Sequence, residues 1–255
     1  MRVLLTNDDG LNSPGLLALA RAMQKKAETF AVAPERERSA ASHAITLHKP
    51  LRAFRARLGD TKLAAWATNG TPADCVVLGI LDLLGTPPDV VVSGINAGAN
   101  LGMDLIYSGT VSGAVEATLF GISAIAISVA SFTGIRWEPA AAFAAQLAKE
   151  VHRHGLPRDT FLNVNVPNLP AAEIRGVEIT RQSSRRYVSR LEKRADPRGR
   201  DYYWLTGSPT GGQDPGTDAR AVAEGRISVT PLRLDMTHEE LTPIFRSWNL
   251  KVPKR

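Results

Sequence analysis

The chain has 255 residues, 44% hydrophobic and 22% charged, which fits a globular protein with one large core, or a core domain with an appendage. No apolar run reaches the length of a membrane span, and the start lacks the basic segment, apolar core and cleavage site of a secretory leader, so a cytoplasmic protein is expected. Lys and Arg number 31 against 25 Asp and Glu, a net +6 that suits anionic substrates and is also compatible with nucleic acid.

Val3, Leu4 and Leu5 form a short apolar run, read as a buried strand, that ends in Asn7-Asp8-Asp9-Gly10. Pro14 opens a helix whose apolar face (Leu16, Leu17, Leu19, Ala20, Met23) runs to about Ala27. Thr29 to Ala33 is the second strand, and the polar stretch Glu35 to His43 that follows is a candidate active-site loop. Ile45 to Leu47 and Lys62 to Ala67 read as a pair of short extra strands. Thr71 is a helix N-cap, with Pro72 at the first helical position and Asp74 near the positive helix end. Cys75 to Leu84 continues that helix. The lone cysteine, Cys75, allows no intrachain disulfide and no multi-cysteine metal site, and its apolar neighbours mark an inert core thiol.

Asp89 to Ser93 is a valine-rich strand buried on both faces. Gly94 to Thr110 follows as a long glycine-rich loop, of the kind that is usually functional in a compact domain. Val111 to Phe120 is a helix of small residues, Ala124 to Val129 a strand, Glu138 to His152 a helix and Thr160 to Val166 another strand. The alternation through about residue 166 predicts an α/β fold, a Rossmann-like doubly wound and mostly parallel sheet, with a catalytic core over 1–170. Residues 171–255 read as a β-rich C-terminal extension of the same domain. Short strands are expected at Ile174 to Thr180, Tyr187 to Leu191, Tyr202 to Leu205 and Arg226 to Leu232. A loop is expected over Gly207 to Gly216 and a closing helix over Glu239 to Leu250.

Three loops converge at the carboxyl edge of such a sheet: Asn7 to Gly10, Arg36 to His43, and Gly94 to Thr110. Two adjacent carboxylates there repel each other and are costly to bury unless neutralised. Their companions are oxygens as well, the hydroxyl of Ser39 or Ser42 and the amide carbonyl of Asn96 or Asn100. That donor set suits Mg²⁺, Mn²⁺ or Ca²⁺ better than zinc. His43 and His48 have no second histidine at helical spacing to support them as ligands. Ser108-Gly109-Thr110 before the helix at Val111 reads equally as a phosphate cradle or as simple helix capping. No phosphate loop, dinucleotide fingerprint or hydrolase nucleophile elbow is present in the sequence. A cation beside a phosphate cradle points to phosphate-ester hydrolysis, with Asp8 as base or covalent nucleophile.

These residues resemble the SurE survival proteins, metal-dependent acid phosphatases that act as 5′(3′)-nucleotidases. The matching stretches are Leu4 to Gly10, Ala33 to Arg36 with Arg38-Ser39, Asn69 to Asp74, Ser93 to Gly98 with Asn100 to Gly102, and Tyr107 to Val111 with Glu116. Weaker similarity runs through Asn163 to Pro167, Ile179 to Gln182 and Ser228 to Leu232. The resemblance implies one divalent cation per subunit, Mg²⁺ or Mn²⁺, held by Asp8, Asp9, Ser39 and Asn96, with Asp8 and Asp9 as the catalytic carboxylates. It implies that Asn96, Asn100, Ser108, Gly109 and Thr110 face the phosphate, and that Asn69 lies at the site. It further implies an exchanging C-terminal extension that gives a homodimer or homotetramer. The family's Asp-x-Thr-x-His pattern is one residue short here, Asp235-Met236-Thr237-His238, which puts a catalytic role for His238 in doubt.

The expected activity is cation-dependent hydrolysis of nucleoside 5′-monophosphates, with 3′-monophosphates and short polyphosphate as further substrates, and with no membrane partner. The alternative is a non-catalytic nucleotide- or RNA-binding protein using the basic segment 181–200. The oxygen-rich loops weigh against it, because a plain binder does not need them.

Overall fold

The computed structural model describes residues 1–39 and 42–252. In chain order the elements are β1 (Arg2–Thr6), α1 (Pro14–Met23), β2 (Glu28–Pro34), β3 (Ala53–Ala56), β4 (Ala64–Thr68), α2 (Pro72–Leu78), β5 (Val90–Ala97) and α3 (Gly109–Leu119). They continue with β6 (Ser123–Val129), α4 (Trp137–His154), β7 (Thr160–Val166), β8 (Val177–Ile179), β9 (Arg186–Ala195), β10 (Asp201–Thr210), α5 (Asp218–Ala223), β11 (Ile227–Arg233) and α6 (Thr242–Ser247).

Nine strands form one sheet in the order β3-β4-β2-β1-β5-β6-β7-β11-β8. The six strands from β4 to β7 run parallel; β3 and β11 join antiparallel. Because side chains alternate along a strand, each central strand feeds both faces. Val3, Leu5, Val90 and Val92 pack with α1 and α4, whereas Leu4, Val32 and Val91 pack with α2 and α3. This is the doubly wound α/β architecture expected from the alternating pattern. The chain leaves β1 toward β2 and β4 on one side, then returns to lay β5 on the other. The crevice between the carboxyl ends of β1 and β5 is therefore the topological switch point, where such sheets bind ligands.

Local chemistry fixes the elements that frame this crevice. Ser13 caps α1 by accepting the Leu16 N–H, with Pro14 at the first helical position. Thr71 and Asp74 form a reciprocal capping box at α2. Gly94 has φ +137, and a Cβ there would stand 2.3 Å from the Ile127 carbonyl oxygen. It lies within the register shift between Ser93 and Asn96 that re-aims the end of β5.

Several boundaries differ from the sequence reading, each for a physical reason. Ile45–Leu47 is not a strand: both flanking side chains are exposed, and Thr46 is tied through its N–H and hydroxyl to the Asp74 carboxylate. The strand that pairs with β4 is instead β3. The glycine-rich stretch is mostly structured, because β5 continues to Ala97 and a 3-10 turn covers Gly102–Tyr107. Helix α1 stops at Met23, before Lys25 and Lys26. The helix after Thr71 changes to a π turn over Gly79–Leu83. Residues 207–210, expected in a loop, extend β10, because its pairing with β9 runs on to Thr210 opposite Arg186. The closing helix is short: a 3-10 turn at Glu239–Leu241 precedes α6, which Pro243 helps to start. Helix α5 was not anticipated, although Thr217 caps it. The 171–255 region supplies β8 and β11 to the main sheet, and β9 and β10 form a separate two-stranded ribbon.

The Gly94 geometry has a measurable consequence. Gly94→Ala forces a Cβ into the Ile127 carbonyl at a positive φ, and should lower the unfolding free energy by about 3 kcal/mol or more. A urea denaturation midpoint equal to that of the parent protein would refute the close approach.

Candidate active site

Asp8 and Asp9 leave the end of β1 into the switch-point crevice. Asp8 is 4% exposed. Its carboxylate accepts the Thr110 hydroxyl proton at 2.5 Å, and its carbonyl accepts the Arg38 N–H at 2.7 Å. The first turn of α3 lies directly against it: a Cβ on Gly109 would be 2.8 Å from both Cβ and Oδ2 of Asp8. Glycine at 109 thus lets the positive end of the helix approach the carboxylate. Asp9 accepts the Ala97 N–H at 3.4 Å.

Burial raises the pKa of Asp8 above the usual carboxylate range, against the pull of its hydrogen bonds to Thr110. Burial, and then the charge of Asp8, raise that of Asp9 to about 6. Among the described residues no Lys, Arg or His forms an ion pair with either. The pair is therefore an uncompensated negative centre, the situation a bound cation relieves.

The other expected donors stand around it. Asn96 donates its amide to the Gly98 carbonyl at 2.7 Å. That partner can only accept, so the amide nitrogen must face it, and the side-chain oxygen is left to the site. Ser39 donates to Glu37 Oε1 at 2.6 Å. Ser42 uses its hydroxyl on the Ile106 carbonyl and its N–H on that of Tyr107, and so pins the loop. Residues 40 and 41 of this loop lie outside the described residues. Asp8, Ser39, Asn96, Asn100 and Ser108 together line one cavity of about 270 Å³. Asp9, Ser39 and Ala97 also line a neighbouring cavity of about 640 Å³. Among the described residues no group of three His, Cys, Asp or Glu could hold a metal. Any cation at this site relies on the serine and asparagine oxygens as well.

The remaining site residues divide. Asn100 is held by Ser128, Asn163 and Asn165. Ser108 accepts the Val111 N–H and so does act as the cap of α3. The Thr110 hydroxyl is spent on Asp8. Asn69 is not brought into either cavity by its side chain, which bonds the Arg52 N–H and the Pro50 carbonyl. Its own carbonyl accepts Arg38 Nη2, and the Arg38 main-chain N–H donates to the Asp8 carbonyl. His43 bonds Glu116 at 2.7 Å and fastens the loop to α3. His238 is exposed, and Cys75 is fully buried with its thiol pKa pushed up to about 12 by that burial.

Sequence reasoning missed Glu37, Phe132 and Trp137, which line the larger cavity. Glu37 sits two residues before Ser39 in a loop already singled out. Phe132 and Trp137 follow β6, whose carboxyl end opens on the same edge as β1 and β5, and that topology was the available signal.

The geometry is that of an oxygen-donor site at the switch point of a doubly wound sheet. The profile described as "Survival protein SurE" matches residues 3–189. The chain is 54% identical over 252 residues to the 5′-nucleotidase SurE of Geobacter sulfurreducens, covering 98% of this chain and 94% of the relative. It is 50% identical over 239 residues to the 5′-nucleotidase SurE of Moorella thermoacetica, covering 93% and 92%. The crystal structure of the SurE protein from Aquifex aeolicus superposes with a TM-score of 0.84 at 42% identity, covering 98% of this chain and 100% of that one. The chain belongs to the SurE family.

The raised carboxylates set a pH dependence. Folded Asp9 keeps its proton up to about pH 6, whereas its ordinary value is 3.8. The folded state therefore binds more protons across that window, and stability of the cation-free protein falls as pH rises through it. In chelator, chemical denaturation at about pH 4.5 and about pH 7 should show a larger loss for the parent than for Asp8→Asn/Asp9→Asn. Equal losses in the two proteins would remove the carboxylates as the cause.

Proposed function

We propose that this chain is a divalent-cation-dependent phosphomonoesterase that hydrolyses nucleoside 5′-monophosphates to nucleoside and phosphate. The observation that carries this reading is the Asp8–Asp9 centre at the switch point, buried at Asp8 and half-buried at Asp9, with no ion pair among the described residues and with the N-terminus of α3 against Asp8. The names of the relatives, 5′-nucleotidases at about half identity, supply the substrate class.

The donor set fits one hard cation, Mg²⁺ or Mn²⁺: two carboxylates, a hydroxyl and an amide carbonyl, all oxygens. Asp8, Asp9, Ser39 and Asn96 would hold it. When bound, such a cation acts as a Lewis acid on the phosphoryl oxygens and lowers the pKa of water. The chain's own groups do the rest. Asn96, Asn100 and Ser108 line the smaller cavity as the phosphate subsite, with Gly109 and Thr110 behind it at the positive end of α3, against Asp8. Asp8 is the proposed proton acceptor, its basicity increased by burial and its orientation fixed by Thr110. Asn69 contributes through its main-chain carbonyl, which anchors the Arg38 guanidinium and so steadies the loop whose main chain bonds the Asp8 carbonyl. Glu37 accepts the hydrogen bond of the Ser39 hydroxyl, which leaves that oxygen's lone pairs free for a cation, as outer-shell acceptors do in metal sites.

The proposal extends to 3′-monophosphates and short polyphosphate as further substrates, to a cytoplasmic location, and to a homodimer or homotetramer built through residues 171–255. No helix among the described residues is long and apolar enough to cross a membrane. Support for assembly comes from the extension's exposed apolar residues, including Trp204, Leu205 and Trp248. No specific observation favours the polynucleotide-binding alternative: in the basic hairpin Lys193 pairs with Asp201 and Arg194 with Glu192.

The test is inorganic phosphate release from a panel of nucleoside monophosphates with Mn²⁺, with Mg²⁺ and with EDTA. Release should require the cation, and Asp8→Asn should reduce it by about a hundredfold or more. A folded Asp8→Asn protein with full turnover would overturn the mechanism. For the Ser39 geometry, Glu37→Ala should weaken Mn²⁺ binding about tenfold by calorimetry. An unchanged dissociation constant would show that Glu37 does not act on the site.

A further inference from the structure

Three exposed rings, Phe132, Tyr107 and Tyr187, line the smaller cavity, and Phe132 is the most exposed of them at 76%. It also lines both cavities, the polar one with Asn96, Asn100 and Ser108 and the larger one with Asp9, Glu37 and Trp137. An apolar ring at the junction of the two cavities gains nothing from a phosphate or a cation.

The ring is held in place. It rests on Gly98, where a Cβ would be 2.3 Å from its Cε1, so the missing side chain is what seats it. The turn beneath is tied at several points. The Ala130 N–H donates to the Val166 carbonyl at 2.9 Å, and the Ser131 hydroxyl donates to the Thr133 carbonyl at 2.7 Å. A second ring, the half-buried Trp137, lines the larger cavity from the start of α4 and packs on Gly15. That cavity, about 640 Å³, lies within the range that encloses small organic ligands.

We infer that Phe132 is the platform on which the substrate's nucleobase stacks, with the base in the Phe132–Trp137 cavity and the phosphate in the adjoining polar one. This rests on the phosphomonoesterase reading and adds to it a residue that sets substrate preference. Stacking uses the π-face that every base has, so Phe132 confers preference for nucleotides over base-free phosphate esters without choosing among bases.

Steady-state kinetics with Mn²⁺ on adenosine 5′-monophosphate and on ribose 5-phosphate test the assignment in the parent, Phe132→Ala and Phe132→Trp. The parent should prefer the nucleotide. Phe132→Ala should lose roughly 5- to 150-fold in kcat/KM on the nucleotide, the range for removing one stacked aromatic, mainly through KM. Its loss on ribose 5-phosphate should be at least about fivefold smaller, and Phe132→Trp should restore the preference. Equal losses on both esters, or none on the nucleotide, would overturn the stacking role. A second arm needs no turnover: ligand-observed NMR of adenosine with cation-free protein should show contact with the parent and not with Phe132→Ala. Contact that persists in the variant would also overturn the assignment. Failure of the parent to hydrolyse either ester would refute the phosphomonoesterase reading, and the adenosine arm would still decide the platform.

Discussion

Asp8 is held between opposing demands, and much of the site follows from them. Removal from water penalises its charge, and Asp9 beside it adds repulsion. Against this stand the Thr110 hydroxyl and the first turn of α3, which can come close only because residue 109 has no side chain. These contacts orient the carboxylate without neutralising it, as the raised pKa shows. A fully satisfied ion pair at this position would be more comfortable and would have no use for a cation. The residual deficit is what makes the centre receptive.

The fold places that deficit where it can be reached. Reversal of strand order at β1 leaves a crevice, and the ends of β1 and β5 open into it. Beneath, the strands are clad on both faces, by α1 and α4 on one side and α2 and α3 on the other. Asp8, Asp9 and Asn96 are thus anchored at the ends of buried strands, Ser108 caps α3, and Ser39 comes from the loop after β2. That loop is fastened at three places: by Arg38 to Asp8, by Ser42 to Ile106 and by His43 to Glu116.

Much of this was legible in the sequence because it depends on local chemistry. The Val3–Leu5 run and its Asp8–Asp9 terminus, the Thr71 cap with Pro72 and Asp74, and the alternation through residue 166 all show themselves within a few residues. What escaped depends on partners far along the chain. Nothing near Ile45 says that Thr46 will be tied to Asp74, and nothing near β10 says that β9 will carry its pairing to Thr210. The pairing of β11 with β7 likewise joins residues more than sixty positions apart. Phe132 was passed over for a related reason. A single phenylalanine in a short connection has no motif, and its position is significant only once β6 is known to end beside β5.

The two cavities can be read as one divided device. Oxygen donors and a helix N-terminus favour a compact, highly charged group, and they surround the smaller space. Aromatic rings favour a flat, weakly hydrated group; Phe132 and Trp137 border the larger space, and Tyr107 and Tyr187 stand with Phe132 at the smaller one. Ser39, Ala97 and Phe132 belong to both, so the boundary carries a hydroxyl, a methyl and a ring. A ligand spanning the two must carry a dense anionic end and an aromatic end separated by a short polar link, and a nucleoside monophosphate has that form. The aromatic end can then help to place the anionic end at the site without adding a further charge beside two carboxylates that already lack a positive partner among the described residues.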